Sequence, residues 1–146
     1  MNKVNIIHLN IESKTEKLSL VRDFISGAAR DFGFDEESIS KIALAVDEAC
    51  TNIIKHSYNY ATDRKIDIKV MPNQKVFKIV ITHQGRMFDP NSVRTPDMPE
   101  YLSHYRKGGL GMHLMRLLMD KVEYKILPDD KCEVHLIKNL SVKLAQ

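Results

Sequence analysis

Glu48, Asn52 and His56 stand at i, i+4 and i+8 in the stretch A-V-D-E-A-C-T-N-I-I-K-H, residues 45–56. On a helix, at ~100° per residue, this spacing aligns a carboxylate, an amide and an imidazole along one strip. Ala45 and Ala49 lie beside the strip, so the surface there is low. Glu48 has the chemistry of a general base, and the Asn52 side-chain carbonyl suits Mg²⁺, a hard oxygen-seeking cation. The same trio also fits a solvated polar flank, which is common on surface helices. Spacing alone leaves both readings open.

Two further stretches carry chemical potential. Lys107-Gly108-Gly109-Leu110-Gly111 precedes an apolar helical pattern. Glycines there allow backbone N–H groups to approach an anion, and the helix N-terminus adds its positive end. Arg106 and Lys107 add charge. No G-K-S/T follows, so this is not a Walker A loop, and Leu114 stands where the dinucleotide fingerprint wants its third glycine. A phosphate cradle and a plain hinge both fit. The third stretch, Thr82-His83-Gln84-Gly85-Arg86-Met87-Phe88-Asp89-Pro90, closes a predicted strand. Gly85 permits a tight turn or a close ligand contact, and an ordinary strand exit fits as well.

The elements that must position these residues follow from periodicity. A first strand is predicted from Val4 to Ile11. Ser13 and Glu16 form an S-x-x-E capping box that would open a helix, whose apolar stripe runs from Leu18 to Phe32 and stops at Gly33. Asp35 is the expected N-cap of a second helix reaching about Ser57, with its stripe at Ile39, Ile42, Ala43, Val46, Cys50, Ile53 and Ile54. Two strands follow, around a turn at Pro72-Asn73-Gln74. The stretch 84–107 has three prolines and no periodicity, the signature of a functional lid or an insert without fixed structure. A third helix is expected near Gly109, with Leu110, Leu114, Leu117 and Leu118 on its stripe. A hairpin turning at Pro128-Asp129-Asp130 ends the chain. Hairpin pairs with segregated helices imply an α+β two-layer sandwich, helices on one face of a largely antiparallel sheet.

Composition narrows the function. With 146 residues, 43% hydrophobic and 28% charged, the chain is expected to form a single globular domain over 1–146. A net charge of +3 without a basic stripe argues against nucleic acid. No apolar stretch approaches the ~20 residues of a membrane helix, and the N-terminus has no signal-peptide core. The expectation is a cytoplasmic protein that uses neither membrane nor nucleic acid. Cys50 and Cys132 are too few for a disulfide framework and are expected to be free. The remaining histidines show no metal-ligand spacing, and Met112, Met115 and Met119 read as core or interface filler.

The three stretches in this order resemble the GHKL, or histidine-kinase-like, ATPase superfamily. Residues 45–56 are similar to its N box, H-Q-G-R-M-F-D-P at 83–90 to its first glycine box, and G-G-L-G-M-H-L-M-R-L-L-M-D at 108–120 to its second. The short chain and element order most resemble the anti-sigma factor serine kinases, from the first strand to the last hairpin. The resemblance implies a nucleotide held between helices and sheet under a lid, with ATP and Mg²⁺ as cofactors. It implies Glu48 as general base and Asn52 as Mg²⁺ ligand. Lys107, Gly108, Gly109, Leu110 and Gly111 would lie at the phosphates, with His83 and Gly85 at the adenine. It implies an anti-sigma factor antagonist of the STAS type as phosphorylated partner, a sigma factor as sequestered client, a homodimer, and a contact region on the first helix near Arg22.

His83 departs from the superfamily pattern, which places there an aspartate that accepts a hydrogen bond from adenine. A neutral imidazole has one acceptor nitrogen and a protonated one has none. Two readings follow: a regulatory protein-serine kinase, or a partner-binding module of the same fold with a degenerate nucleotide site. Glu48 and Asn52 favour the first, and His83 the second.

Overall fold

The computed structural model describes residues 5–84 and 114–141. Five strands form one antiparallel sheet in the order β1-β2-β3-β5-β4. They are β1 (Ile7–Glu12), β2 (Lys65–Asn73), β3 (Val76–Gln84), β4 (Lys121–Leu127) and β5 (Lys131–Asn139). Helices α1 (Leu18–Phe32) and α2 (Glu36–Asn52) lie between β1 and β2 in the chain and pack against each other. Residues 114–118 are helical. The α+β class and the helix-covered antiparallel sheet are as the sequence implied.

Strand alternation builds the core. Register places Leu9, Ile68, Ile81, Val134 and Tyr124 in one row across all five strands. Ile7, Val70, Ile79, Leu136 and Val122 form a second row. Ile11, Ile66, His83, Cys132 and Ile126 form a third, at the end of β3. Successive residues of a strand point to opposite faces, so these rows share one face. The stripes of α1 (Leu18, Val21, Ile25, Ala29) and α2 (Ile39, Ile42, Ala45, Val46, Ala49, Cys50) join Ile11, Ile66, Ile68, Val70, Ile79, Ile81, Val134 and Leu136 of these rows in a single buried cluster.

Local chemistry sets the helix ends. Gly33 stops α1 at φ 113°, a left-handed conformation that costs glycine least. The Asp35 carboxylate accepts from the Ser38 N–H at 2.8 Å and caps α2. The capping box does not form. A 3₁₀ turn at Thr15–Lys17 leads into α1, and Lys17 stands at the N-cap without a side-chain cap. Ser13 is 1% exposed and spends its hydroxyl elsewhere, donating to the Ala61 carbonyl and accepting from the Arg64 N–H at 3.2 Å. Buried backbone groups of the loop before β2 have the stronger claim on it.

Three other expectations shift. The β2–β3 turn falls at Gln74-Lys75, because Pro72 and Asn73 still pair with Phe77 and Val76 and Gln74 takes the positive φ of 56°. Leu117 is 81% exposed rather than in the core, while Met115 and Met119 are buried. The second helix does reach Ser57, but its last turn, Ile53–Ser57, is a π-helix. The start of the third helix near Gly109 and the stretch 85–107 lie outside the described residues.

Cys50 and Cys132 are free and buried, and burial pushes the Cys50 thiol up to about 12. A thiol reagent at pH 8 should therefore react with neither in the native protein and with two per chain in denaturant without reductant. Fewer than two would reveal a bond between them.

Candidate functional site

The third row of the sheet contains one polar side chain. His83 is 4% exposed, with aliphatic Ile66 opposite it on β2 and Cys132 opposite it on β5. Its Nδ1 has no hydrogen-bond partner among the described residues. Across from it, on the last turn of α2, Asn52 is 8% exposed and its Nδ2 also lacks a partner among the described residues. Both side chains line a small cleft between α2 and the sheet. Ala49, Ile53, Met115, Tyr124 and Val134 supply apolar walls, and Ser57 adds a hydroxyl.

An unpaired buried polar group costs ~1–3 kcal/mol. Two of them in one apolar-walled cleft offer a ligand two polar groups to pair with. Burial lowers the His83 pKa to about 4, so the ring is neutral at pH 7 and offers one donor and one acceptor. Tyr58 packs edge-on against it, ring centroids 5.7 Å apart at 88°.

Glu48 is half-buried one turn before Asn52 on α2. Desolvation is the main force raising its pKa; neighbouring Asp47 adds to it and Lys55 opposes it. A raised carboxylate pKa is the property a general base needs. Ala45 and Ala49 are buried beside the strip, as its low surface required. His56 parts from the trio. The π-turn adds a residue to the turn that carries it, and the ring is exposed while Asn52 is buried. Straight-helix projection could not see this, because it assumes 3.6 residues per turn throughout.

Asn52 presents the donor set a magnesium ion takes from protein: one amide oxygen, with a carboxylate one turn away. Mg²⁺ draws its other ligands from phosphates and water. Which atom of the amide is oxygen is set by its partner, and one end of this amide has no partner among the described residues, so the residues fit. Among the described residues no cluster of three or more histidine, cysteine or acidic side chains could hold a metal by itself. Gly85, Lys107, Gly108, Gly109, Leu110 and Gly111 lie outside the described residues.

Arg22 on α1 donates to Asp47 on α2 at 2.7 Å, tying the two helices together next to Glu48. Arg22 is about half exposed, and such a pair contributes little stability. Tyr124 and Ser57 were not singled out in the sequence. Tyr124 alternates with Val122 and Ile126, which gave a signal only for the core face, and Ser57 falls in the π-turn, where periodicity gives none.

The architecture defines a class first. A solved structure of the RsbU and RsbW domains of a Mycobacterium tuberculosis protein superposes with a TM-score of 0.67 over 95% of this chain and 33% of that one, at 15% identity. The SiaB–SiaC complex of Pseudomonas aeruginosa gives 0.66 over 90% and 88%, at 9% identity. These likenesses carry the fold. The chain belongs to the histidine kinase-like ATPase domain family, whose model matches residues 11–138. It is 32% identical to the serine-protein kinase RsbW of Halalkalibacterium halodurans over 82% of this chain and 75% of the relative. It is also 32% identical to that of Oceanobacillus iheyensis, over 84% and 80%. Among the described residues, no helix is long and apolar enough to cross a membrane.

His83 makes stability depend on pH. The unfolded ring titrates near ~6.5 and the folded one near about 4. Between those values the unfolded chain binds more protons, so stability rises with pH through the window and is lost as pH falls from 6.5 towards 4. Its cross-strand neighbour Cys132 and its ring neighbour Tyr58 both have raised pKa values and do not titrate there. Urea unfolding at pH 7 and pH 4.5 should show a loss of about 2–3 kcal/mol attributable to this ring. His83→Gln should flatten the profile by that amount; an unchanged slope would mean the ring is solvated in the native state.

Proposed function

We propose that this chain is an ATP-dependent protein-serine kinase that regulates by binding and phosphorylating a partner protein, in the manner of an anti-sigma factor. The observation that carries the reading is the cleft itself: Asn52 and His83 buried and unpartnered across from each other, with Glu48 half-buried one turn along α2. Membership of an ATPase domain family supports ATP as the occupant, and the similarity to serine-protein kinases supports serine as the acceptor.

In this reading Glu48 accepts the proton of a serine hydroxyl as its oxygen bonds to the γ-phosphorus of ATP. The bond to the bridging oxygen breaks and ADP leaves. Asn52 holds Mg²⁺, which when bound neutralises charge on the phosphates. His83 and Gly85 meet the base, and Lys107, Gly108, Gly109, Leu110 and Gly111 lie at the phosphates. An anti-sigma factor antagonist of the STAS type is the phosphorylated partner and a sigma factor the sequestered client. Contacts run through α1 near Arg22, and the working unit is a homodimer of single-domain chains in the cytoplasm.

Replacing Glu48 by Ala should lower phosphoryl transfer to the partner by ~10²–10⁴ while sparing ATP binding. Radiolabel transfer from ATP and calorimetry on the same variant check the two halves. Full turnover in Glu48→Ala would remove the base assignment.

One observation favours a second reading, a non-enzymatic binding module. His83 offers a single neutral acceptor where a carboxylate offers two oxygens, a weaker fit to a base amino group. His83→Asp should tighten ATP binding by roughly threefold to a hundredfold, the range of one added hydrogen bond. If the wild-type chain binds no ATP and His83→Asp does, the binding-module reading stands for the natural protein.

A further inference from the structure

The sheet comes apart at one place, and a tyrosine fills the gap. Strands β2 and β3 pair from Asn73↔Val76 to Ile66↔His83. One more step of that register would set Lys65 opposite Gln84. Both residues are still in their strands, since Lys65 pairs with Glu12 of β1 and Gln84 with Lys131 of β5. They do not pair with each other. The Tyr58 hydroxyl lies between them instead, donating to the Lys65 carbonyl and accepting from the Gln84 N–H at 3.0 Å. One side chain thus takes over the backbone groups of two strands at the seam where they separate.

Tyr58 is itself fixed from behind. Its N–H closes the π-turn onto the Ile53 carbonyl at 2.8 Å, and the Tyr60 N–H returns to Ile54 at 2.8 Å. Asn59 and Tyr60 take φ of 50° and 65°, which folds the chain back at once. The loop is then anchored to the end of β1, where Ser13 bonds to Ala61 and Arg64. The phenol is 6% exposed. It therefore works as a fixed spacer, joined at one end to the last turn of α2 and at the other to the end of β3.

That end of β3 carries His83. The ring edge of Tyr58 meets the His83 ring, and the Tyr58 hydroxyl holds the next residue, Gln84. Asn52 lies on the helix side of the same turn. Tyr58 thus sets the distance between the two unpartnered groups of the cleft. We propose that Tyr58 is a positioning residue of the nucleotide site, its hydroxyl holding β2 and β3 apart so that His83 faces the cleft opposite Asn52. This rests on the nucleotide reading of that cleft and adds to it a residue that never touches the ligand.

Removing the hydroxyl leaves the part-buried Lys65 carbonyl and Gln84 N–H without it, and they are then free to pair across the seam. Closure draws Gln84 towards β2 and alters the backbone next to His83, which is already paired with Ile66. Tyr58→Phe keeps the ring and its edge contact and deletes only this spacer. ATP affinity, measured by calorimetry well below the variant's unfolding temperature, should fall by about tenfold, the size of one to two ordinary hydrogen bonds. Inorganic triphosphate, which lacks the base, should bind within twofold of wild type. The His83 imidazole NMR signals should shift in the ligand-free protein. Tyr60→Phe, at a ring 59% exposed, should change none of the three.

Wild-type ATP affinity with unmoved His83 signals in Tyr58→Phe would make Tyr58 a stabilising residue only and overturn the proposal. Equal losses for ATP and triphosphate would overturn it too, since the whole cleft would then have changed. Wild type that binds neither ligand would overturn the nucleotide reading itself, and the proposal with it. If Tyr58→Phe does not fold, 3-fluorotyrosine at position 58 keeps both bonds and alters their strength. A change in ATP affinity of twofold or more is then expected, and none overturns the proposal.

Discussion

An antiparallel sheet with one aliphatic face must have that face covered, and the cover here is α1 and α2. Three of its cross-strand rows run through all five strands, and of their fifteen side chains only His83 is strongly polar. Burying the aliphatic members drives helix onto sheet, at roughly 25 cal/mol per Å² of apolar surface removed from water. That same packing drags His83 out of water. The ring cannot be solvated without lifting the end of α2, so it answers by staying neutral, with its pKa lowered to about 4. The site is therefore a by-product of the core's geometry at its edge, where apolar cover ends and polar groups stay enclosed.

Asn52 is held by the same constraint from the other side. The residues before it on α2, Ala49 and Cys50, are buried, and Ile53 and Ile54 after it are buried too. Packed apolar neighbours on both sides leave its amide no route to solvent. Alanines at 45 and 49 let the helix come close to the sheet, which narrows the cleft and raises the cost of leaving Asn52 and His83 unpaired. A ligand that pairs both recovers that cost. The arrangement is pre-organised in the physical sense: the ordering and desolvation of the two groups are complete before anything binds.

Much of this was legible in the residues, for reasons that can be named. Strand parity placed Ile66, Ile68, Val70, Val134 and Leu136 on one face, and helical period gave the buried stripe Ile39, Ile42, Val46 and Cys50, because burial follows those two periods. Gly33 and Asp35 ended and began helices through interactions spanning three or four residues. Ser13 misled for the opposite reason. Its local pattern was that of a capping box, but loop backbone 48 residues away competed for the same hydroxyl and won. His56 misled because a π-turn breaks the period on which its placement depended. Tyr58 gave no signal at all, since its role depends on which backbone groups a strand register leaves unpaired, and register is a property of the folded sheet.

The π-turn joins these threads. Its wider ring of hydrogen bonds, Ile53 C=O to Tyr58 N–H, inserts a residue where α2 meets the sheet. Such insertions are rare and frequently lie at functional sites. Without it the helical period would carry on beyond Asn52, with His56 continuing the strip of Glu48 and Asn52. With it, His56 leaves the strip for solvent and the chain ends the turn at Tyr58, whose hydroxyl sits in the seam between β2 and β3. One extra residue thus removes an imidazole of the helix from the cleft while Tyr58 holds β3, with its own imidazole, at the cleft wall.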